Sequence, residues 1–314
     1  MLLSLVAMLA GLLIVVKSAD LLVDNGSRLA ASFGVPTLVI GLTIVAYGTS
    51  APEAVVSVTS AARGAGALVV GNVLGSNVAN LALILGAAAL AAPLSLPQRV
   101  GRVDGPLVLL ATLLFALLGS DGSLSRADGA VLLLLSIVYS AGAVLSARRE
   151  ATPPAPHETA GRGRTTALLL LGLAGLAVGA QMLVSGAVAI ATKLGLSELL
   201  IGATIIAVGT SLPELAASIA AARADDHGMS VGNVIGSNLF NLLLVLGLGA
   251  LVGGVPMPRP ALLYDLIPGL VLAALMTVAA LRGMVVTRLA GGLLLASYAA
   301  YLGLCVWRQV SGVG

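Results

Sequence analysis

Long apolar runs fill this chain, separated by short polar or Gly/Pro-rich breaks. Leu2–Val16, Leu107–Leu118, Ala130–Leu145 and Leu262–Leu281 approach or reach the roughly 20 apolar residues that cross a bilayer as a helix. Lipid leaves the backbone only helices or a closed barrel, and these runs lack the polar/apolar alternation of barrel strands. The pattern predicts ten helices, at 2–30, 36–62, 67–92, 104–119, 127–147, 166–193, 197–222, 229–252, 262–281 and 288–308. One segment differs in character. Arg148–Thr165 is polar, rich in Pro and Gly and without apolar period, so it reads as a solvent-exposed linker between two halves, 1–147 and 166–314. The expected fold class is an all-α integral membrane protein with ten transmembrane helices.

The halves are copies. Gly48-Thr49-Ser50-Ala51-Pro52-Glu53 returns as Gly209-Thr210-Ser211-Leu212-Pro213-Glu214, displaced by 161 residues. The Asn-rich block GNVLGSNVAN at 71–80 returns with the same displacement as GNVIGSNLFN at 232–241. Ala10-Gly11-Leu12 and Leu171-Gly172-Leu173 obey it too. The first apolar run therefore belongs to the repeat, and it lacks the basic n-region of a secretory signal. Five helices per half is an odd number, so the second half should enter the membrane in the opposite sense. Two inverted five-helix repeats with a site between them at the midplane are a known architecture of secondary transporters.

Composition supports the membrane reading and narrows the partners. The chain is 59% hydrophobic and 9% charged, with a mean hydropathy of +1.10, far from the roughly 25% charged of soluble domains. The lipid bilayer is thus the expected partner. A pI near 9.4 accompanies a net charge of only +3, and the basic residues stand singly between apolar runs, so no nucleic-acid partner is expected. Those residues read instead as topology signals. With the N-terminus outside, Arg28, Arg99, Arg102, Arg148, Arg149, Arg162, Arg164, Arg223, Arg282 and Arg288 fall on the cytoplasmic side, against Arg63, Arg126, Lys193, Arg259 and Arg308 outside. This bias predicts a multi-pass protein of the cell membrane with both termini extracytoplasmic. The single cysteine, Cys305, excludes an intrachain disulfide framework and reads as a packing residue.

The chemistry lies in the repeated motifs. Thr49 and Glu53 are four residues apart, as are Ser76 and Asn80, and Thr210/Glu214 and Ser237/Asn241 repeat the spacing, so each pair shares one helix face. A carboxylate at membrane depth costs about 2.5–3.5 kcal/mol on insertion scales, which makes Glu53 and Glu214 functional residues that need a compensating charge. Two carboxylates with hydroxyl, amide and carbonyl oxygens form a hard-cation site, whereas zinc or copper would call for His or Cys. His157 and His227 both lie outside the predicted spans. One Ca²⁺ or two monovalent cations would neutralise the pair. Pro52 and Pro213 are expected to break their helices and free carbonyls around Ala46–Thr49 and Ala207–Thr210. Gly71/Gly75 and Gly232/Gly236 are expected to let the Asn-bearing helices approach the Glu-bearing ones.

The two blocks resemble the α-repeats of the cation/Ca²⁺ exchanger superfamily, and are most similar to its prokaryotic sodium/calcium exchanger branch. The resemblance implies that Glu53 and Glu214 are the shared central ligands. Thr49, Ser50 and Ser76 would serve one side, Thr210, Ser211 and Ser237 the other, with the carbonyls of Ala46 and Ala207 contributing and Asn80 and Asn241 closing the middle. It further implies Ca²⁺/Na⁺ antiport by alternating access, with the first and sixth helices as the moving pair. Some relatives carry Asp at one Asn position, and the K⁺-dependent exchangers have it in the second repeat. Asn at both positions here argues against K⁺ cotransport. The short linker leaves no room for a Ca²⁺-sensing domain.

Other readings sit beside these. H⁺/Ca²⁺ exchange is the alternative within the transporter class, because Glu53 and Glu214 could carry protons; a cation channel is the alternative outside it. An enzyme is not expected, since no nucleophile–base pair lies at membrane depth, and no cofactor is implied. Thr43, Ser57 and Thr59 read as packing residues. Asn72, Asn77, Asn233 and Asn238 read equally as helix braces or as ligands. Asp20, Asp24 and Glu198 read as interfacial, and Asp104 and Asp265 as caps of the fourth and ninth helices. One chain holds both halves of the site, so a monomer would suffice.

Overall fold

A computed structural model of the chain describes residues 2–150, 161–194, 207–257 and 262–311. Helices account for nearly all of it. Helix α1 (Leu2–Phe33) stops at Gly34, whose φ of +65° suits a residue without a Cβ. The next span is broken. Helix α2 (Thr37–Thr49) meets α3 (Ala51–Ala62) at Ser50 with a bend of 45°, and Pro52 sits in the first turn of α3, where its missing N–H is tolerated. Then follow α4 (Gly66–Ala91), α5 (Val100–Asp121), α6 (Arg126–Glu150) and α7 (Arg162–Lys193). A helical turn, Ala207–Gly209, leads into α8 (Leu212–Arg223), and α9 (His227–Gly253), α10 (Tyr264–Leu281) and α11 (Arg288–Ser311) complete the chain.

Eight helices among the described residues are long and apolar enough to cross a membrane, and α2 with α3 forms a ninth, broken candidate. The chain is a multi-pass membrane protein. Of the expected helices, the start of the seventh (197–206) lies outside the described residues, as do Glu198 and Arg259. The expected linker is trimmed at both ends, because α6 continues through Glu150 and α7 begins at Arg162; residues 151–160 lie outside the described set.

Burial sorts the helices into a core and a lipid-facing shell. In α4 and α9, 78% and 83% of the apolar window is buried within the protein, against 28% for α1 and for α7 and 11% for α11. Exposed side chains such as Leu3, Leu13, Leu134, Leu275 and Leu289 belong to that shell, where lipid is the solvent. Helices α1 and α7 pair antiparallel along their length, Gly186 facing Ser4, Gly179 facing Gly11 and Gly172 facing Leu22. A Cβ on Gly11 would stand 2.7 Å from the Gly179 carbonyl oxygen, so this pair depends on small residues for its approach.

Two short antiparallel ladders clamp the ends of the bundle. β1 (Leu94–Ser95) pairs with β4 (Val285–Val286), and β2 (Ser123–Leu124) pairs with β3 (Val255–Pro256). Gly66 at the start of α4 abuts Gly254 and Pro256, so α4 begins and α9 ends together, and β1/β4 caps the end opposite β2/β3. At the β1/β4 end, Asp226 ties three elements together: it accepts from Ser27 Oγ at 2.9 Å, Thr37 Oγ1 at 2.6 Å and the Met229 N–H at 2.9 Å, capping α9. Arg162 reaches the Ser32 carbonyl at the same end.

Asp104 and Asp265 do not cap helices as expected. Asp104 is fully buried inside a wide π-helical turn, Val100–Asp104, and accepts from Arg99 Nε at 3.3 Å and Tyr139 OH at 3.4 Å. Asp265, in the matching turn Leu262–Leu266, accepts from Tyr301 OH at 2.9 Å and lies 3.8 Å from Arg308. Asp104, buried, and Asp265, half-buried, anchor α6 and α11 respectively. Asp226, absent from the expectations, caps α9; its replacement in Asp226→Ala should lower stability by about 1–2 kcal/mol. The thermal unfolding midpoint of purified protein measures this, and an unchanged midpoint would contradict the three-way tie.

Candidate functional site

The break at Ser50 sets the geometry of the first half-site. Pro52 cannot donate a backbone hydrogen bond, so the helix opens one residue before Glu53, and Ser50 leaves helical geometry with φ −84° and ψ 8°. Ser211 has nearly the same conformation, φ −89° and ψ 7°, ahead of Pro213 and Glu214. Glu53 and Glu214 therefore both lie in the first turns of α3 and α8, and each is 1% exposed. Among the described residues neither has an Arg or Lys within ion-pair distance.

The halves interlock around this pair. Ser50 Oγ donates to Glu214 Oε1 at 2.6 Å, and Thr49 Oγ1 donates to Asn233 Oδ1 at 3.2 Å, both bonds running from the first repeat to the second. Asn72 Nδ2 spans the Glu53 carbonyl (3.3 Å) and Ser57 Oγ (3.1 Å); Asn233 Nδ2 spans the Glu214 carbonyl (3.1 Å) and Ser218 Oγ (2.9 Å). Asn72 and Asn233 thus brace the Glu-bearing helices. Asn77 and Asn238 bond the opposite repeat's Asn241 and Asn80. Ser57, expected only to pack, is a bonding partner, as is Ser218, which is absent from the expectations. The 161-residue displacement that joins Ser57 to Ser218 is the signal that could have found both.

The remaining oxygens converge without protein donors. Glu53 Oε2, Glu214 Oε2, Asn80 Oδ1, Asn241 Oδ1, Ser211 Oγ and Ser237 Oγ are all buried with no hydrogen-bond partner among the described residues. Buried polar atoms are normally satisfied, so six unpartnered oxygens from four expected motifs point to a ligand that is itself an electron-pair acceptor. Asn80 and Asn241 each open a π-helical turn, Asn80–Ile84 and Asn241–Val245, a feature frequent at functional sites. Ser76 is also buried nearby on the same face of α4. Among the described residues no cluster of three or more His, Cys, Asp or Glu exists, so the donor set is one of hydroxyl, amide and carboxylate oxygen.

Two expectations need revision. The Ala46 carbonyl is not freed by the break, since it accepts the Ser50 N–H at 3.1 Å and the Thr49 hydroxyl lies 3.4 Å from it; only its second lone pair is open. Ala207 occupies the matching place at the head of its helical turn, but the Ser211 N–H bonds Val208 instead, at 3.2 Å. Thr210 lies between that turn and α8. The close approach expected of the glycines holds in one copy: a Cβ on Gly232 would stand 2.6 Å from the Leu38 carbonyl oxygen, and one on Gly236 as close to that of Leu42. Among the described residues Gly71 meets nothing within 4 Å and Gly75 only Tyr301. Their repeat-related partners, 199 and 203, lie outside the described residues.

Comparison with known proteins identifies the family. The family described as sodium/calcium exchanger protein matches residues 3–145 and 164–307. The sodium/calcium exchanger MaX1 of Methanosarcina acetivorans is 30% identical over 336 residues, covering 94% of this chain and 96% of that protein. The inner membrane protein YrbG of Escherichia coli is 40% identical over 262 residues, covering 80% and 81%. Among solved structures, the sodium-calcium exchanger NCX_Mj superposes with a TM-score of 0.85 at 33% identity, over 97% of this chain and 99% of that one. The family model and these relatives agree, and the chain belongs to the sodium/calcium exchanger family.

Proposed function

We propose that this protein is a secondary antiporter that exchanges Ca²⁺ for Na⁺ across the cell membrane, by alternating access to one shared oxygen-ligand site. The observation that carries the reading is the set of six buried, donor-free oxygens around two uncompensated carboxylates. Such a set is stable when a cation holds it together. One Ca²⁺ balances the formal charge of −2, and so do two Na⁺, so competing occupancy of the same ligands supplies coupling without a second site. Glu53 and Glu214 are the central ligands; Thr49, Ser50, Ser76 and Asn80 complete one side, and Thr210, Ser211, Ser237 and Asn241 the other. The carbonyls of Ala46 and Ala207 add backbone oxygen.

Alternating access follows from an inverted duplication of ten spans, one repeat in 1–147 and the other in 166–314, joined by a short cytoplasmic connection. The antiparallel α1/α7 pair and the exchanged ladders β1/β4 and β2/β3 support that symmetry. A cavity of about 610 Å³ between α3, α7 and α8 reaches Pro52, Thr210 and Pro213, and offers ions a route to the helix breaks. The proximity of α7 to that cavity suits the outer pair as the element that moves. The solved NCX_Mj structures concern extracellular ion exchange and induced binding-site occlusion in that protein, with crystals soaked in Na⁺ and Ca²⁺. The same cycle fits the present site. Single chains carry the complete ligand set, so a monomer is sufficient.

Orientation rests on the basic residues. Arg28, Arg99, Arg102, Arg162, Arg223, Arg282 and Arg288 belong to the β1/β4 end, and Arg63, Arg126 and Lys193 to the β2/β3 end. The first end is therefore cytoplasmic and both termini lie outside.

Three measurements test this reading. In liposomes, an inside-high Na⁺ gradient should drive ⁴⁵Ca²⁺ uptake; uptake driven by a pH gradient alone would mean H⁺ exchange, and flux without a counter-ion would mean a channel. Glu53→Gln and Glu214→Gln should each lower Na⁺-driven uptake at least about tenfold and remove the Ca²⁺-dependent rise in unfolding temperature; transport left intact in both would refute the site. With Cys305→Ser as background, Ser123→Cys should react with an impermeant thiol reagent from outside intact cells and Ala224→Cys should not. The reverse pattern would invert the topology.

A further inference from the structure

The two Asn ligands of the proposed site are themselves held by a second pair of asparagines, which cation coordination does not use. Asn80 Nδ2 donates to Asn238 Oδ1 at 2.9 Å, and Asn241 Nδ2 donates to Asn77 Oδ1 at 3.2 Å. Both bonds cross from one repeat to the other, and each is the other's copy under the 161-residue displacement. None of the four side chains is more than 5% exposed. The free ends of the first pair, Asn80 Oδ1 and Asn241 Oδ1, receive no protein donor.

A carboxamide has an acceptor end and a donor end of almost equal size, so packing alone does not choose between them. The partner does. Turning Asn80 by half a turn would set its oxygen against Asn238 Oδ1, two acceptors in place of a 2.9 Å hydrogen bond, and aim an amino group at the cation. Asn77 is anchored in its turn, because its Nδ2 lies 3.4 Å from the Asn238 carbonyl and leaves Oδ1 for Asn241.

We propose that Asn77 and Asn238 are positioning residues: they orient the carboxamides of Asn241 and Asn80 so that both present oxygen to the transported cation, each repeat setting the ligand of the other. This inference rests on the cation site proposed above. The three asparagines of each block then have distinct roles. Asn72 and Asn233 brace the Glu-bearing helix, Asn77 and Asn238 orient, and Asn80 and Asn241 coordinate.

A carboxylate needs no such orienting partner, since both of its ends accept, and this difference supplies the test. Na⁺-driven ⁴⁵Ca²⁺ uptake by the full chain in liposomes is measured against Ca²⁺ concentration for Asn77→Ala, Asn241→Asp and the double variant. With Asn at 241, Asn77→Ala should raise the KM for Ca²⁺ about tenfold, with a smaller change in kcat, because the Asn241 amide loses its acceptor and its fixed orientation. With Asp at 241, the same Asn77→Ala change should move KM by less than about twofold. An equal loss in both backgrounds would assign Asn77 a merely structural role and overturn the proposal, as would an unchanged KM for Asn77→Ala alone. The mirror set, Asn238→Ala with and without Asn80→Asp, carries the same expectation and replaces the first where Asn77→Ala lowers the yield of folded protein. Glu214→Gln in the same assay keeps the two ideas apart: full uptake by that variant removes the cation site itself, whereas its loss leaves the asparagine result to decide orientation alone.

Discussion

Two carboxylates buried at membrane depth without a cationic side chain are the constraint on which the rest of this molecule depends. Burying a charge in so apolar a protein is unfavourable unless something opposite in sign is close, and neither Glu53 nor Glu214 has an Arg or Lys partner among the described residues. The surrounding structure is a set of devices for presenting oxygen to a mobile charge while bonding the polar groups beside it. Pro52 and Pro213 interrupt their helices beside the acids, Asn72 and Asn233 take up the carbonyls of Glu53 and Glu214, and Ser50 bonds one oxygen of Glu214. Around the two acids, what remains without a partner among the described residues is the oxygen set and the Asn238 Nδ2. A site of this kind tolerates exchange of cargo more readily than emptiness, and that preference is the physical basis of coupled exchange.

Duplication alone would leave two half-sites; the cross-repeat bonds make them one. Ser50 reaches Glu214, Thr49 reaches Asn233, Asn80 reaches Asn238 and Asn241 reaches Asn77. The scaffold follows the same rule. Gly86 packs against Gly291 and Gly129 against Gly247, two repeat-related contacts that lock α4 to α11 and α6 to α9, and each terminal ladder takes one strand from each half. Small residues carry these contacts because helices in lipid associate by close packing and not by hydrophobic exclusion.

Much of this is legible in the sequence because a membrane imposes long apolar runs and because a repeat tests itself. A polar residue that recurs after 161 positions inside apolar sequence has two witnesses, which is why Glu53/Glu214 and Asn80/Asn241 stand out. The misses share a cause. Asp104 and Asp265 resemble caps because they begin apolar runs, yet the helices begin earlier, and the acids' partners Tyr139 and Tyr301 lie 35 and 36 residues further on, contacts no local pattern reveals. Those tyrosines are themselves repeat mates, but at a displacement of 162, one residue beyond the register that serves for the motifs. Ser57 carries no signal of its own, because a lone serine in a membrane helix usually packs. Asp226 is invisible because its counterpart 161 residues earlier is Ala65, so repetition does not flag it.

That last difference bears on the exchange cycle. If two access states are related by swapping the roles of inverted repeats, identical repeats would make the states equal in energy, and any preference must come from positions where the halves differ. Asp226 is such a position: it ties Ser27 of α1 and the start of α2 to α9 at the β1/β4 end, while Val188 and Ala65 stand where Ser27 and Asp226 would have equivalents at the other end. The two anchoring acids diverge as well. Asp104 takes its cation from Arg99, five residues away, and among the described residues Asp265 takes Arg308 from the last helix; in the sequence, Pro260 is the position that repeats Arg99. Both asymmetries act on the scaffold and not on the ligand set, where the copies agree at every coordinating side chain. Under the proposed function the ligands define what is carried, and the unmatched contacts at the two ends are where a preference for one face of the membrane would arise.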